Sequence, residues 1–191
     1  MILDLEKLEA NKCYSIMSNS IFPRPIAWIV TENSGVINVA PFSYFAPLTS
    51  KPAVAVVSIG KKESGEPKDT LANILDTKKA TICIPNSSHA DFISKSATSL
   101  SKDSSEIEEF NIPTKRVNPD FPPIIEGVHA AYFATFRDSY EIEGSPTLPI
   151  FLNLLSVYFD DLIINENLKV DMKALGRVGA FFITEGERIK A

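Results

Sequence analysis

The chain is punctuated into short β-rich runs, and this pattern constrains its fold more than any other feature. Ile26-Ala27-Trp28-Ile29-Val30 is a nearly continuous apolar run ended by the turn signal Glu32-Asn33-Ser34-Gly35. Val36 to Ala40 then returns as the second strand of a hairpin. Ala53 to Ile59 and Ala80 to Ile84 are further runs of β-branched and small apolar residues. Strand character resumes at Val128 to Phe136, Glu141 to Glu143 and Leu154 to Ile164. Helical spacing is confined to Leu8 to Met17, to Asp69 to Lys78 with Leu71, Ile74 and Leu75 on one face, and to a segment from Ser87 through Ile93. The corner Phe22-Pro23-Arg24-Pro25 is expected to be extended, because proline drives the preceding residue out of the helical region. Val117 to Pro123 holds three prolines and reads as an irregular connection. The serine- and lysine-rich Ser94 to Ser105 reads as a surface helix end or a mobile loop. Many strands with few helices predict a mainly β fold, a closed or nearly closed β-barrel with a few peripheral helices.

Composition narrows the function. A chain of 191 residues with 45% hydrophobic content can bury a substantial core. With no repeat or low-complexity linker, residues 1–191 are expected to form a single domain. The net charge of −5 is mixed along the chain and forms no basic face, which argues against a nucleic-acid partner. The greasiest stretch, Ile150 to Phe159, is broken by Asn153 and Ser156, so no membrane span is expected. Asp4 and Glu6 stand where a secretory signal needs basic and then apolar residues, and Cys13 and Cys83 are too few for a disulfide framework. A reduced, cytoplasmic setting follows as the expectation. Phosphate-loop, Gly-x-Gly-x-x-Gly and Gly-x-Ser-x-Gly patterns are missing, and His89 and His129 lack metal-ligand spacing, so no metal site is expected. Catalysis therefore has to rest on a cofactor that carries the chemistry itself.

Two segments suit a flat, phosphate-bearing cofactor. A helix opening at Lys68-Asp69-Thr70 offers free amides, a point charge and a hydroxyl donor to an anion, with Asn73 one turn on. The same residues also fit an ordinary capped helix with Lys68 solvated. In Asn38-Val39-Ala40-Pro41-Phe42-Ser43 the proline removes a ladder donor, so the strand should bend or leave the sheet. That frees amides such as those of Phe42 and Ser43 to meet the polar edge of a flavin ring, with the Asn38 and Ser43 side chains adding donors. A barrel corner with Phe42, Tyr44 and Phe45 as core aromatics is the other reading. Arg24 fits either a solvent-facing strand start or a partner for phosphate or ring.

Taken in order, Pro-Arg-Pro-Ile-Ala at 23–27, Asn-x-Ala-Pro-Phe-Ser-x-Phe at 38–45, Ser-Ile-Gly at 58–60 and Lys-Asp-Thr-x-x-Asn-Ile at 68–74 resemble the flavin reductase-like FMN-binding split-barrel family. Glu108-Glu109-Phe110 and Leu175-Gly176-Arg177-Val178-Gly179 are similar to two later elements of it. The resemblance implies a homodimer of split β-barrels with FMN near the subunit interface. It implies that Asn38, Ala40, Pro41, Phe42 and Ser43 line the ring, that Ser58, Ile59 and Gly60 run along the cofactor, and that Lys68, Asp69, Thr70 and Asn73 form the phosphate end with Arg24 close by. Arg177 would approach the site late in the chain. Two departures stand out: Phe181-Phe182 where the family often has a tyrosine, and Ser156-Val157-Tyr158-Phe159-Asp160 where it often has a histidine. The implied activity is an NAD(P)H-dependent flavin or ferric reductase, in which NADH or NADPH gives a hydride to bound FMN and a free flavin or other small-molecule acceptor takes the electrons. The alternatives are an FMN-binding electron carrier or flavin-storage protein, and a barrel without FMN that serves as an interaction module.

Overall fold

The β-rich runs join into one large curled sheet. The computed structural model describes residues 1–62, 64–101, 104–184 and 186. A 3₁₀ turn (Leu5–Lys7) leads into helix α1 (Ala10–Ser20) and the short strand β1 (Arg24–Pro25). Strands β2 (Ala27–Asn33) and β3 (Val36–Phe42) form a hairpin closed by Ser34 and Gly35, whose φ values of 52° and 84° give a turn that follows the strand twist. A second hairpin joins β4 (Phe45–Ser50) to β5 (Ala53–Gly60), and α2 (Asp69–Thr77) leads to β6 (Lys79–Ile84). Helices α3 (Ala90–Lys95) and α4 (Glu106–Glu109) and the strand pair β7 (Thr114–Lys115) and β8 (Ile124–Ile125) occupy the next connection. The long strands β9 (Ala130–Ser139) and β10 (Thr147–Phe159) follow, and β11 (Gly176–Val178) and β12 (Phe181–Ile183) return to β1.

Seven antiparallel strands run in the order β3-β2-β6-β9-β10-β5-β4, beside a three-stranded sheet β1-β11-β12. Both faces of the large sheet are buried, which is why Ala27 to Val30 shows no polar alternation. Ala27 and Ile29 join Val57, Ile59, Ile82 and Leu152 with Leu71 and Ile74 of α2 in one core. Trp28 and Val30 join Ile93, Ile112 and Ile124 in the other. Residues from β2 and from β5, far apart in strand order, share the first core, so the sheet is curled into a barrel with α2 packed into it.

Several elements depart from expectation. Helix α1 begins at Ala10 and runs to Ser20, past Met17, because Ser18, Asn19 and Ser20 bond back to carbonyls of the preceding turn. Strand β3 does not leave the sheet at Pro41. It is the outermost strand, and Val39 turns its amide outward to Glu106, so Pro41 two residues on also presents its missing N–H to the open edge. By the same alternation the Phe42 amide faces β2 and is not freed. Strand β4 was not expected; it is mostly exposed, with Pro47 at a register shift. Glu141 to Glu143 is loop, where Ser145 turns back to the Ile142 carbonyl. Strand β10 runs Thr147–Phe159 and stops before Ile164, because Asp160 opens a turn by accepting from the Leu162 amide. In the Ser94 to Ser105 stretch, positions 102 and 103 lie outside the described residues. No helix among the described residues is long and apolar enough to cross a membrane.

Candidate functional site

Strand β3, the start of α2 and the segment after α3 enclose a cleft with two ends. The smaller end, about 100 Å³, is lined by Asn38, Ala40, Lys62, Lys68, Thr70 and Glu106 and by residues 96–100. Lys68 is the N-cap of α2, and its side chain carries no acceptor, so it leaves the first-turn amides uncapped. Asp69 does not cap the helix either; it accepts from Lys62 Nζ at 2.7 Å. The positive helix end and Lys68 favour an anion here, while Asp69 offsets the charge of Lys62.

Thr70 lines the smaller end, and its hydroxyl is engaged within the protein. It is 1% exposed, and its hydroxyl donates to Asn38 Oδ1 at 2.8 Å. Asn38 Nδ2 donates to Glu106 Oε2 at 2.9 Å, and the Val39 amide donates to the same oxygen at 3.1 Å. Asn73 lies behind this layer, donating to Thr31 Oγ1 at 3.0 Å, and Thr31 in turn reaches Asn38. Asn38, Thr70 and Asn73 are thus a buried network that holds the edge of β3 to α2. Burial pushes the Glu106 carboxyl above the ordinary carboxylate range, and the Asp69 charge adds to the effect against the pull of amide and Asn38 hydrogen bonds.

The larger end, about 360 Å³, is lined by Tyr14, Pro41, Phe42, Ser43, Arg177 and Phe182, among others. The two ends share Pro41, Phe42 and Ala97. Arg24 Nη1 donates to Ser43 Oγ at 2.7 Å, which puts Arg24 beside this end, outside its lining, and away from the smaller one. Ser58 borders a neighbouring cleft that also holds Ser43 and Arg24, whereas Ile59 points into the barrel core. Gly60 pairs with Thr147 at the end of β5. So the structure gathers Asn38, Ala40, Pro41, Phe42, Ser43, Lys68, Asp69, Thr70 and Arg177 around one cleft, and leaves Arg24, Ser58, Ile59, Gly60 and Asn73 outside its lining. Sequence reasoning missed Glu106, Lys62, Tyr14 and the wall formed by Ser94 to Leu100. Trp28 Nε1 anchors that wall on Ser96 Oγ at 2.9 Å, a contact across 68 positions with no local signature. Cys83 is buried and its thiol pushed up to about 12, so it offers no reactive thiolate. His89 is structural, held against the Glu126 carbonyl at 3.0 Å.

The family model of the flavin reductase like domain matches residues 17–160. An uncharacterized protein of Halalkalibacterium halodurans is 31% identical over 109 residues, 56% of this chain and 52% of that one, so the match spans about half the length of that relative. The fold superposes on nitrilotriacetate monooxygenase component B from Bacillus cereus with a TM-score of 0.91 at 21% identity, covering 100% of this chain and 98% of that chain. It also superposes on the FMN-binding protein from Thermus thermophilus with a TM-score of 0.76 at 16% identity, covering 91% and 92%. These likenesses establish the fold as a split β-barrel.

Proposed function

The chain belongs to the flavin reductase-like domain family, and from that premise we propose that it is an FMN-binding oxidoreductase. It takes a hydride from NADH or NADPH and passes electrons to a free flavin, a ferric complex or another small acceptor. The observation that carries this reading is the two-ended cleft. Lys68 and the amide end of α2 suit a phosphate, while Tyr14, Phe42 and Phe182 beside Ser43 and Arg177 suit a planar polar ring.

The residues present fit such a group. Arg24 Nε is buried with no partner among the described residues, and Lys68 has no ion pair among them, so polar capacity remains at both ends. Lys68 and the α2 amides would hold the phosphate, and the Ala40 to Ser43 edge and the Ser94 to Leu100 wall would hold the ring and ribityl chain. When bound, FMN supplies hydride acceptance and electron transfer, which no side chain in this cleft provides. The protein's share is position and charge. The Glu106–Asn38–Thr70 network fixes the strand edge, Pro41 and Phe42 exclude water from the floor, and the arginines set a positive field at the ring end. The reading extends to a cytoplasmic homodimer. Exposed Leu48, Leu155, Val157 and Phe181 on β4, β10 and β12 support a partner surface.

Loading the apoprotein with FMN or riboflavin tests the site. FMN should bind about tenfold or more tightly than riboflavin, and Lys68→Gln should remove most of that difference while sparing riboflavin. Equal affinity of the wild type for both flavins would eliminate the phosphate end.

A further inference from the structure

Two arginines meet beside the ring end of the cleft, with no carboxylate paired to either among the described residues. Arg24 and Arg177 are register partners across β1 and β11. Both donate to the Gly179 carbonyl, from Arg24 Nη2 at 3.5 Å and from Arg177 Nε at 3.2 Å. Arg24 is only 6% exposed, and its Nε has no partner among the described residues. Neither arginine forms an ion pair among those residues. Arg24 also donates to Ser43, and aromatic faces flank both, Tyr44 at 5.6 Å from the Arg24 guanidinium carbon and Phe182 at 4.9 Å from that of Arg177. A guanidinium does not shed its proton on burial, so the buried Arg24 held beside the half-buried Arg177 carries an electrostatic cost that an oxyanion relieves.

A further cleft opens beside Arg24, while Arg177 lines the ring end. This further cleft measures about 290 Å³ and is lined by Met17, Ile21, Tyr44, Phe45 and Val56, with Arg24 the one charged lining residue among the described residues. Ser43, which accepts from Arg24, borders both this cleft and the ring end. The FMN phosphate is not the natural occupant. Lys68 lines the other end of the site beside Asn38, and Asn38 and Ser43 are five positions apart along the β3 edge, about 16 Å in extended chain.

We propose that Arg24 and Arg177 form an oxyanion subsite for the second substrate, and that this substrate is an apolar or aromatic body carrying a carboxylate or phosphate. The subsite deepens the FMN reading and rests on it. It reassigns both arginines from holding the cofactor to orienting the molecule that exchanges electrons with it. Arg24 acts as the buried anchor, and Arg177, which faces the ring end, aligns the bound anion with the cofactor.

Calorimetric titration of the FMN-loaded protein and of the apoprotein with benzoate, benzamide and inorganic phosphate tests this. Benzoate should bind about tenfold or more tightly than its neutral isostere benzamide, and should perturb the absorbance of bound FMN. Arg24→Gln, and separately Arg177→Gln, should cost benzoate about tenfold in affinity while leaving the preference for FMN over riboflavin intact. Phosphate binding more tightly than benzoate would mark a phosphate-bearing donor as the source of the anion; the reverse would mark an aromatic carboxylate acceptor. Equal binding of benzoate and benzamide, or no binding of benzoate and phosphate, overturns the subsite in the wild type alone, so misfolding of a variant does not obscure the answer. An Arg24→Gln protein that loses FMN but not riboflavin overturns it as well, as does one whose flavin potential shifts with benzoate affinity unchanged. If the protein takes up no FMN, the cofactor reading fails, and the apoprotein titration still decides the anion subsite.

Discussion

Asn38 shows how residues that look like ligands become the frame that holds a ligand. Its amide is oriented from both sides, Nδ2 toward Glu106 and Oδ1 toward Thr70, so the side chain ties α4, β3 and α2 together. Thr70→Val leaves Asn38 Oδ1 with only the 3.4 Å contact from Thr31. It should cost about 1–3 kcal/mol in urea unfolding while leaving the FMN-to-riboflavin affinity ratio unchanged, in contrast to Lys68→Gln. Glu106 adds a pH signature. Because its carboxyl holds its proton more tightly in the folded chain, the folded state binds more protons between the ordinary carboxylate pKa and the raised value. Its stabilising contribution is therefore complete below that window and is lost as pH rises through it. Glu106→Gln should flatten that slope in unfolding measurements across the acid range up to neutrality; an unchanged slope would assign the pH dependence to another group. The importance of Glu106 was not legible beforehand, because a glutamate next to Ser104 and Ser105 looks like a solvated loop acid until tertiary packing buries it. Gly179 is a similar case. At φ 49° it holds a backbone conformation that L side chains rarely adopt, and an added Cβ would push aside the end of the Asn19 side chain, so Gly179→Ala should destabilise the fold by about 1–2 kcal/mol.

At the scale of elements, the strands whose residues alternate or run apolar over five or more positions were legible, and the edges were not. Strands β2, β5 and β6 and helix α2 follow from their patterns, because burial dictates each position. Strand β4 escaped notice because it is exposed along most of its length and carries Pro47, so its pairing to β5 and not its composition defines it. Strands β11 and β12 escaped because three-residue strands leave no periodic signal. The wall from Ser94 to Leu100 reads as a surface loop, yet the buried Trp28–Ser96 bond fixes it over the cleft. Ser96→Ala strands the indole donor in the core, which should cost about 1–3 kcal/mol, shift Trp28 fluorescence and weaken FMN retention several-fold. Trp28 emission and FMN affinity that both match wild type would show that the wall needs no such anchor.

For the whole molecule, curling of the sheet brings β3 and the β4–β5 hairpin to the same region, and the chain then supplies charge of different kinds to two ends of one cleft. Asn38 to Ser43 and Lys68 to Thr70 marked that cleft in the sequence, because each combines a backbone device with polar side chains. Which of these residues face the cleft and which brace it depended on packing that no local pattern records. The apolar surface on β4, β10 and β12 predicts a homodimer of about twice the 21.0 kDa chain mass in solution scattering, and Leu155→Glu with Val157→Glu should shift the protein toward monomer. The most direct measurement is an anaerobic titration of the FMN-loaded protein with NADH and then NADPH, following the flavin absorbance. An NAD(P)H-dependent reductase bleaches rapidly with at least one of the two donors. FMN that binds but stays oxidised with both would contradict the reductase assignment and leave an electron carrier or flavin store.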